Sequence, residues 1–163
     1  LSVLLHRAVP YPLFLLLDVG TGLTLSLAHK RWSQGEAGAT VLDGDLVAAA
    51  VAPASSAQVA TAFLEALSLS SQPRGDLFKL YQGWIDVVLA LLAAQLTGRF
   101  SLPGSLAHAN ARREALRESA QLEAEITRLR AAAAKEKQVH RRVELNLALK
   151  HAEAARASAL TRL

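Results

Sequence analysis

The alternation of apolar and polar residues near the start of the chain is typical of short strands. An apolar run over Tyr11–Asp18 ends at Gly20 and Gly22, as a buried strand that enters a turn does. In Leu23–Trp32 the leucines alternate with smaller residues, which predicts a half-buried strand. The two strands are separated by a short glycine turn, so we expect them to form a β-hairpin.

A weaker strand pattern follows in an alanine-rich stretch. Thr40–Leu42 and Leu46–Val51 flank Asp43-Gly44-Asp45, whose residue types favour a turn over a cation site. This pattern predicts a third strand and leaves a fourth open. Together with the hairpin it indicates a small antiparallel sheet.

The middle of the chain carries the start and stop signals of two helices. Ser55–Ser56 supplies an N-cap for a helix over Ala57–Leu67, and Asp76 supplies one for a helix over Leu77–Leu96 that Gly98 ends. The second helix is apolar on most sides, which predicts a central core element.

The last third of the chain reads as helix throughout. No glycine or proline occurs in the 59 residues after Gly104, and strong helix formers dominate. If unbroken, this segment would extend about 88 Å at 1.5 Å per residue. A seam with 4-3-4 spacing, typical of a coiled coil, is formed by Leu122, Ile126, Leu129 and Ala133.

The apolar pattern changes beyond the charged stretch Lys135–Arg142. On a helix, Val143 and Leu147 occupy one side and Leu145 and Leu149 another, so neighbours are needed on two flanks. This requirement favours a helical hairpin or small bundle, folded back near residue 135, over a free rod.

These elements predict an α+β fold. A small antiparallel sheet, a hairpin or meander, packs on helices and is followed by a long C-terminal helical arm or helical hairpin. We expect an α/β body over residues 1–100, a turn over 101–104 and the arm over 105–163.

The positive charge of the chain belongs to this arm. Residues 1–110 contain six Lys/Arg and seven Asp/Glu, whereas residues 111–163 contain twelve and seven. Such asymmetry is compatible with an anionic partner, although a solvated helix also carries many charges.

Composition excludes cysteine-dependent sites and bears on the cellular location of the protein. Without cysteine the chain has no disulfide, thiolate metal site or cysteine nucleophile. The apolar run Val87–Ala94 has eight residues, fewer than the roughly 20 of a spanning helix, so we expect a cytoplasmic protein without a membrane segment. Because the chain begins at Leu1 and lacks methionine, we also expect that an N-terminal part is missing or that methionines were omitted.

Candidate catalytic residues are few. Asp18 and Lys30, on adjacent predicted strands, could belong to a metal-dependent nuclease, but that chemistry needs at least two acidic ligands beside the lysine. The five histidines do not cluster in the sequence. We therefore expect no cofactor and no metal site, with a nuclease-like enzyme as the least favoured function.

A basic patch interrupts the apolar seam of the arm. Its four residues are Lys135, Lys137, Arg141 and Arg142. Such density suits contact with nucleic-acid phosphates. The alternative, which we favour, is an ordinary charged helix in which Glu136 and Glu144 pair with these cations.

Specific residue runs resemble a bacterial family called domain of unknown function 4391. The family's closing helix carries a Lys-Glu-Lys-Gln run followed by a Val-Glu-Leu-Asn run, similar to Lys135–Gln138 and Val143–Asn146 here. Ala8–Asp18 resembles its Pro-Leu-Phe strand, and Leu80-Tyr81 resembles a pair in its mid-chain helix. The resemblance implies an N-terminally incomplete member, from genes in settings similar to those beside helicases and DNA methyltransferases of restriction-like or phage-defence systems.

We therefore expect a non-enzymatic interaction or accessory subunit. Its seam residues would bind a larger protein or a second copy through the C-terminal helices. A nucleic-acid-binding accessory protein that uses the basic patch is the alternative.

Overall fold

A computed structural model describes residues 1–18, 20, 22–51 and 56–163 of the chain. These residues form two compact units, Leu1–Leu102 and Pro103–Leu163. A three-stranded antiparallel sheet with helices makes up the first unit, and two long helices make up the second. The predicted α+β class is confirmed, and the turn predicted at 101–104 falls where the two units meet in sequence.

The sheet of the first unit is a meander in the order β1-β2-β3. Both strand pairs are antiparallel, and Asp18 opposes Leu23 in the first of them. The elements of this unit are α1 (Ser2–Ala8), β1 (Leu15–Asp18), β2 (Leu23–Trp32), β3 (Thr40–Val51), α2 (Ala57–Leu67), a 3-10 turn (Leu69–Ser71) and α3 (Leu77–Thr97).

β3 is one strand, so the turn predicted at Asp43-Gly44-Asp45 is wrong. The pairing moves from Leu27–Val47 to His29–Asp43, which gives β3 two more residues than β2 in that interval. The excess forms a bulge, and Gly44 adopts φ +80° within it. Gly44 interrupts the hydrogen bonds between β2 and β3 locally but does not reverse the chain, because β3 pairs with β2 on both sides of it.

The middle of β2, residues 25–28, is buried on both faces, so the prediction of a half-buried strand is wrong there. Leu25 is 1% exposed and Ser26, which points to the opposite face, is fully buried. On one face Ser26 meets His6 of α1, and on the other His29 meets Gln82 of α3. Ser26, whose residue type suggests a solvent-facing position, is covered by α1.

α3 is the core helix that the sequence predicted. The Asp76 carboxylate accepts a hydrogen bond from the Lys79 amide at 2.7 Å, and Gly98 ends the helix with φ +76°. By length and composition alone this helix could cross a membrane, and half of its most apolar 18-residue window is buried inside the protein. A buried core helix passes the same test.

Two boundaries near the start of the chain differ from the prediction. Helix α1 was not predicted from the sequence, and β1 begins at Leu15 rather than at Tyr11. Pro10 and Pro12 lack the amide hydrogen that a strand ladder needs, which explains the shorter strand. Val19 and Thr21 of the predicted glycine turn, and Ser55 of the predicted cap, lie outside the described residues; Ser56 accepts the capping bond of α2.

A buried histidine holds α1 on the sheet. His6 is fully buried, and its Nε2 atom shares a hydrogen bond with the Ser26 hydroxyl at 3.1 Å. Burial lowers the pKa of His6, and the nearby charge of Lys30 lowers it further against the opposing hydrogen bond at Ser26. The folded state therefore prefers the neutral ring.

We expect acid to destabilise the first unit through His6. Its folded pKa lies below the ordinary value of 6.5, so the unfolded state takes up the proton first. The contribution of neutral His6 to the free energy of unfolding is complete above about pH 6.5. It is lost as the pH falls toward the pKa of His6 in the folded state. Urea midpoints at neutral and mildly acidic pH test this, with His6→Asn as the uncharged control. An equally steep loss in both proteins would contradict the assignment.

The second unit is a helical hairpin, the folded-back form of the predicted arm. α4 (Leu106–Lys135) and α5 (Val139–Leu160) run antiparallel and are joined by residues 136–138. The Ser105 hydroxyl caps α4 by accepting a hydrogen bond from the His108 amide at 3.2 Å. The core of the hairpin consists of Ile126, Leu129 and Ala152, with Leu122, Leu145 and Leu149 packed against it.

Candidate interaction surface

Three ion pairs join the two helices of the hairpin. Arg156 lies 2.7 Å from Glu123 and Arg130 lies 2.6 Å from Glu153, while Arg162 pairs with Glu118. Each such partly exposed pair contributes at most about 1 kcal/mol. Together they favour one register of α5 on α4 and neutralise three of the seven acidic residues of the hairpin.

The structure divides the predicted seam into an inner and an outer set. Ile126 and Leu129 are buried, and Leu122, Leu145 and Leu149 pack against them. Ala133 is half-buried, whereas Val143 and Leu147 face away from α4. Of the two apolar sides predicted for α5, the hairpin itself covers only one.

The uncovered side forms an apolar stripe on α5. Val139, Val143 and Leu147 are 66%, 59% and 56% exposed, and we call them the outer stripe. Their spacing of four residues places them on one face of the helix. A patch of neighbouring aliphatic side chains, rather than a single one, is the kind of surface that marks interaction sites.

The net positive charge of the hairpin is concentrated at its folded-back end. Residues 128–150, which we call the tip, contain seven Lys/Arg and two Glu, while the rest of the second unit contains five of each sign. The outer stripe lies within the tip. The apolar surface is therefore embedded in the most basic part of the molecule.

The four residues of the basic patch have no ion-pair partner within the hairpin, all of which the structure describes. Glu144 pairs instead with His140 at 3.2 Å, and Glu136 accepts a hydrogen bond from the Gln138 amide at 2.8 Å. The favoured interpretation, in which these glutamates pair with the patch, does not hold. Lys135, Lys137, Arg141 and Arg142 are all exposed and open to an anionic partner.

Asp18 and Lys30 do not share a site. Asp18 opposes Leu23 and so lies on the α3 face of the sheet, whereas the Lys30 amine donates hydrogen bonds to the carbonyls of His6 and Val9 on the α1 face. Asp18 itself accepts a hydrogen bond from the Gly20 amide at 2.8 Å, as in a turn. No group of three or more acidic or histidine residues that could hold a metal occurs among the described residues.

An open cleft of about 320 Å³ lies in the first unit, between the start of α2 and the end of α3. Arg99 is the one ionisable side chain among the described residues that line it. The other lining residues are Gln58, Val59, Ala62, Gly98 and Phe100. A lone exposed arginine does not provide the paired acid and base that general catalysis needs.

Two exposed residues of α5, Val139 and Lys150, were not among the predicted site residues. Val139 precedes Val143 by four residues, so its membership of the outer stripe could have been read from the helical period. Lys150 lies beside Leu147 on the same exposed surface. It lies eight residues after Arg142, outside the charged stretch of residues 135–142 that predicted the basic patch.

The chain matches the family model described as Domain of unknown function (DUF4391) over residues 1–155 of its 163. It belongs to this family. The resemblance inferred from the sequence is thereby confirmed. No curated protein and no solved structure matches the chain. The tip and the outer stripe both lie within the DUF4391 match, so they are part of the family domain.

Proposed function

We propose that this DUF4391 protein is a non-enzymatic accessory subunit that binds a larger protein through the outer stripe. The observation that carries the proposal is the division of α5 into a covered side, Leu145 and Leu149, and an uncovered side, Val143 and Leu147. The resemblance to a family found beside helicases and DNA methyltransferases suggests that class of partner, in a restriction-like or phage-defence system.

Burial of the outer stripe against a partner protein is energetically favourable. Each buried aliphatic side chain stabilises a complex in proportion to the apolar surface it removes from water, at about 25 cal/mol per Å². Val143 and Leu147 project from a helix whose register is fixed by ion pairs to α4. The stripe is thus held in one orientation before a partner arrives, which lowers the entropic cost of binding.

In-cell photo-crosslinking tests the proposal. A benzophenone amino acid at position 147 should give one discrete protein adduct, whereas the same group at Ala131, an exposed alanine of α4, should not. The adduct should disappear when Val143→Gln is added and persist with Leu64→Gln, a matched change at an exposed leucine of α2. Identical adduct patterns at positions 147 and 131 would contradict the proposal.

A second candidate function, nucleic-acid binding by the basic patch, is favoured by the four cations that lack partners in the hairpin. The patch could neutralise phosphates of a duplex that lies across the tip. Phe, Trp and Tyr all precede residue 101, so the hairpin offers none of these rings for base stacking.

This second function predicts a steep salt dependence. If all four cations contact phosphates, the slope of log affinity against log salt should be roughly −3 to −4, since each contact contributes about 0.9. Fluorescence anisotropy with a labelled DNA duplex measures it. Reversal of Lys135, Lys137, Arg141 and Arg142 to glutamate should abolish binding, while Arg74→Glu in the first unit should not. Binding that is indifferent to salt, or that survives the fourfold reversal, would refute the candidate.

A further inference from the structure

We infer that the partner surface on the outer stripe is an acidic amphipathic helix of a different protein, and not a second copy of this chain. The inference rests on the proposed function and names the chemistry of its partner. It follows from the size of the outer stripe and from the charges on both sides of it.

The outer stripe is too small to form a stable interface alone. A specific interface buries about 800 Å² on each partner, far more than three partly exposed aliphatic side chains provide. A bound protein must therefore extend from Val143 and Leu147 onto the neighbouring rows of α5. The residues in those rows decide which partner fits.

Two exposed rows run along the sides of the outer stripe. One row consists of Arg142, Asn146 and Lys150, spaced four residues apart. The other consists of His140, Glu144 and His151. The carboxylate of Glu144 lies 3.2 Å from the His140 ring within the same row, so the one acidic side chain beside the stripe already has a partner.

These rows disfavour pairing with a second copy. In an antiparallel helix pair the same row of each helix meets, which would place Arg142 opposite Lys150 of the other copy. In a parallel pair the arginine–lysine row would meet the histidine row, where Glu144 is the single acid. Either arrangement also brings together two tips that each carry seven cations and two acids. Like charges across an interface oppose association.

A nucleic acid also fits this surface less well than an acidic helix does. Phosphates would engage the cations but leave Val143 and Leu147 facing water or polar backbone. A helix with an apolar stripe and acidic flanks covers the aliphatic side chains and pairs with Arg142 and Lys150. Because Leu145 and Leu149 face α4, such a helix would make α5 the middle member of a three-helix layer.

Designed peptides test the inference with the full chain. The first probe is a labelled helical peptide, about three heptads long, with leucines at the a and d positions and glutamates beside them. The second replaces every glutamate with lysine, and the third scrambles the acidic peptide so that its apolar face is lost. A labelled DNA duplex is the fourth probe, and light scattering of the free protein reports self-association.

We expect the acidic amphipathic peptide to bind and the lysine and scrambled peptides to bind at least about tenfold more weakly. Val143→Gln with Leu147→Gln, and separately Arg142→Glu with Lys150→Glu, should each weaken binding by about tenfold or more. Leu64→Gln and Arg74→Glu are the matched controls and should leave it unchanged.

Three results would overturn the inference. These are equal binding of the scrambled peptide, equal binding of the lysine peptide, and a stable dimer that the Val143→Gln, Leu147→Gln variant dissociates. Loss of DNA affinity alone in the variants would also overturn it, in favour of the nucleic-acid candidate. If the peptide fails while the crosslinked adduct at position 147 persists, this inference is wrong and the accessory-subunit proposal survives; if both fail, both are wrong.

Discussion

Ile126→Asp is expected to unfold the C-terminal hairpin. Ile126 is 3% exposed and packs with Leu129 and Ala152 in a core of only a few side chains. Loss of the buried aliphatic group costs about 2–5 kcal/mol, and an unpaired carboxylate at the same position adds a desolvation penalty. Two helices that share so small a core cannot absorb a combined loss of more than about 4 kcal/mol.

Far-UV circular dichroism measures this outcome. α4 and α5 contain 30 and 22 residues, more than half of the α-helical residues that the structure describes, so the helical signal should fall by about half. Both tryptophans lie in the first unit, and their near-UV signal distinguishes loss of the hairpin from global unfolding. Leu147→Asp is the matched control, because that leucine is 56% exposed on the outer stripe.

The control should retain the helical signal and change the free energy of unfolding by no more than about 0.5 kcal/mol. An equal loss of helix in both variants would mean that Leu147 is part of the fold, and the outer stripe would cease to be a candidate interaction surface. The comparison therefore separates the inner apolar side of the hairpin from the outer one.

The helical period predicted the two helices of the hairpin but not which side of α5 packs against α4. It identified the two apolar sides of α5, because residues four apart share a face of any helix. It could not decide which side faces α4, since Val143/Leu147 and Leu145/Leu149 have similar volume and hydrophobicity. The pairs Arg130–Glu153 and Arg156–Glu123 help fix that choice, and they join residues more than 20 positions apart in the sequence.

The sheet was predicted less well because strand patterns depend on what covers each face. Ser26 looked solvent-exposed from its residue type, but α1 buries it against His6. Asp43-Gly44-Asp45 has the composition of a turn, and a β-bulge uses the same glycine conformation. Only the pairing with β2 distinguishes the two, and single-sequence patterns do not contain that pairing.

The positions of Asp18 and Lys30 were also unpredictable because they depend on strand pairing. Their residue types fitted nuclease chemistry, but the faces on which they lie depend on strand register. The basic patch was predicted from composition alone, and its four residues are exposed. Its lack of partners within the hairpin could not be predicted, because His140 and Gln138 take the two glutamates that were expected to pair with it.

The second large effect is expected for Tyr81→Phe, which removes one oxygen from the core of the first unit. The Tyr81 hydroxyl lies 2.6 Å from the Leu13 carbonyl and accepts a hydrogen bond from the Ala28 amide at 3.0 Å. Ala28 lies at the bulge and has no opposing residue in either strand pairing, so the hydroxyl replaces its missing ladder partner. The hydroxyl donates to the Leu13 carbonyl, and its burial raises the pKa of Tyr81.

Tyr81→Phe should therefore leave the Ala28 amide and the Leu13 carbonyl without partners and lower the free energy of unfolding by about 2–3 kcal/mol. Urea unfolding measures the loss, and hydrogen exchange of the Ala28 amide should accelerate by the corresponding factor. Tyr11→Phe removes the same atom from a side chain that is 71% exposed and should change stability by no more than about 0.5 kcal/mol. Equal stability of the two variants would mean that water or a shifted strand satisfies the bulge, and Tyr81 would then be an ordinary core aromatic.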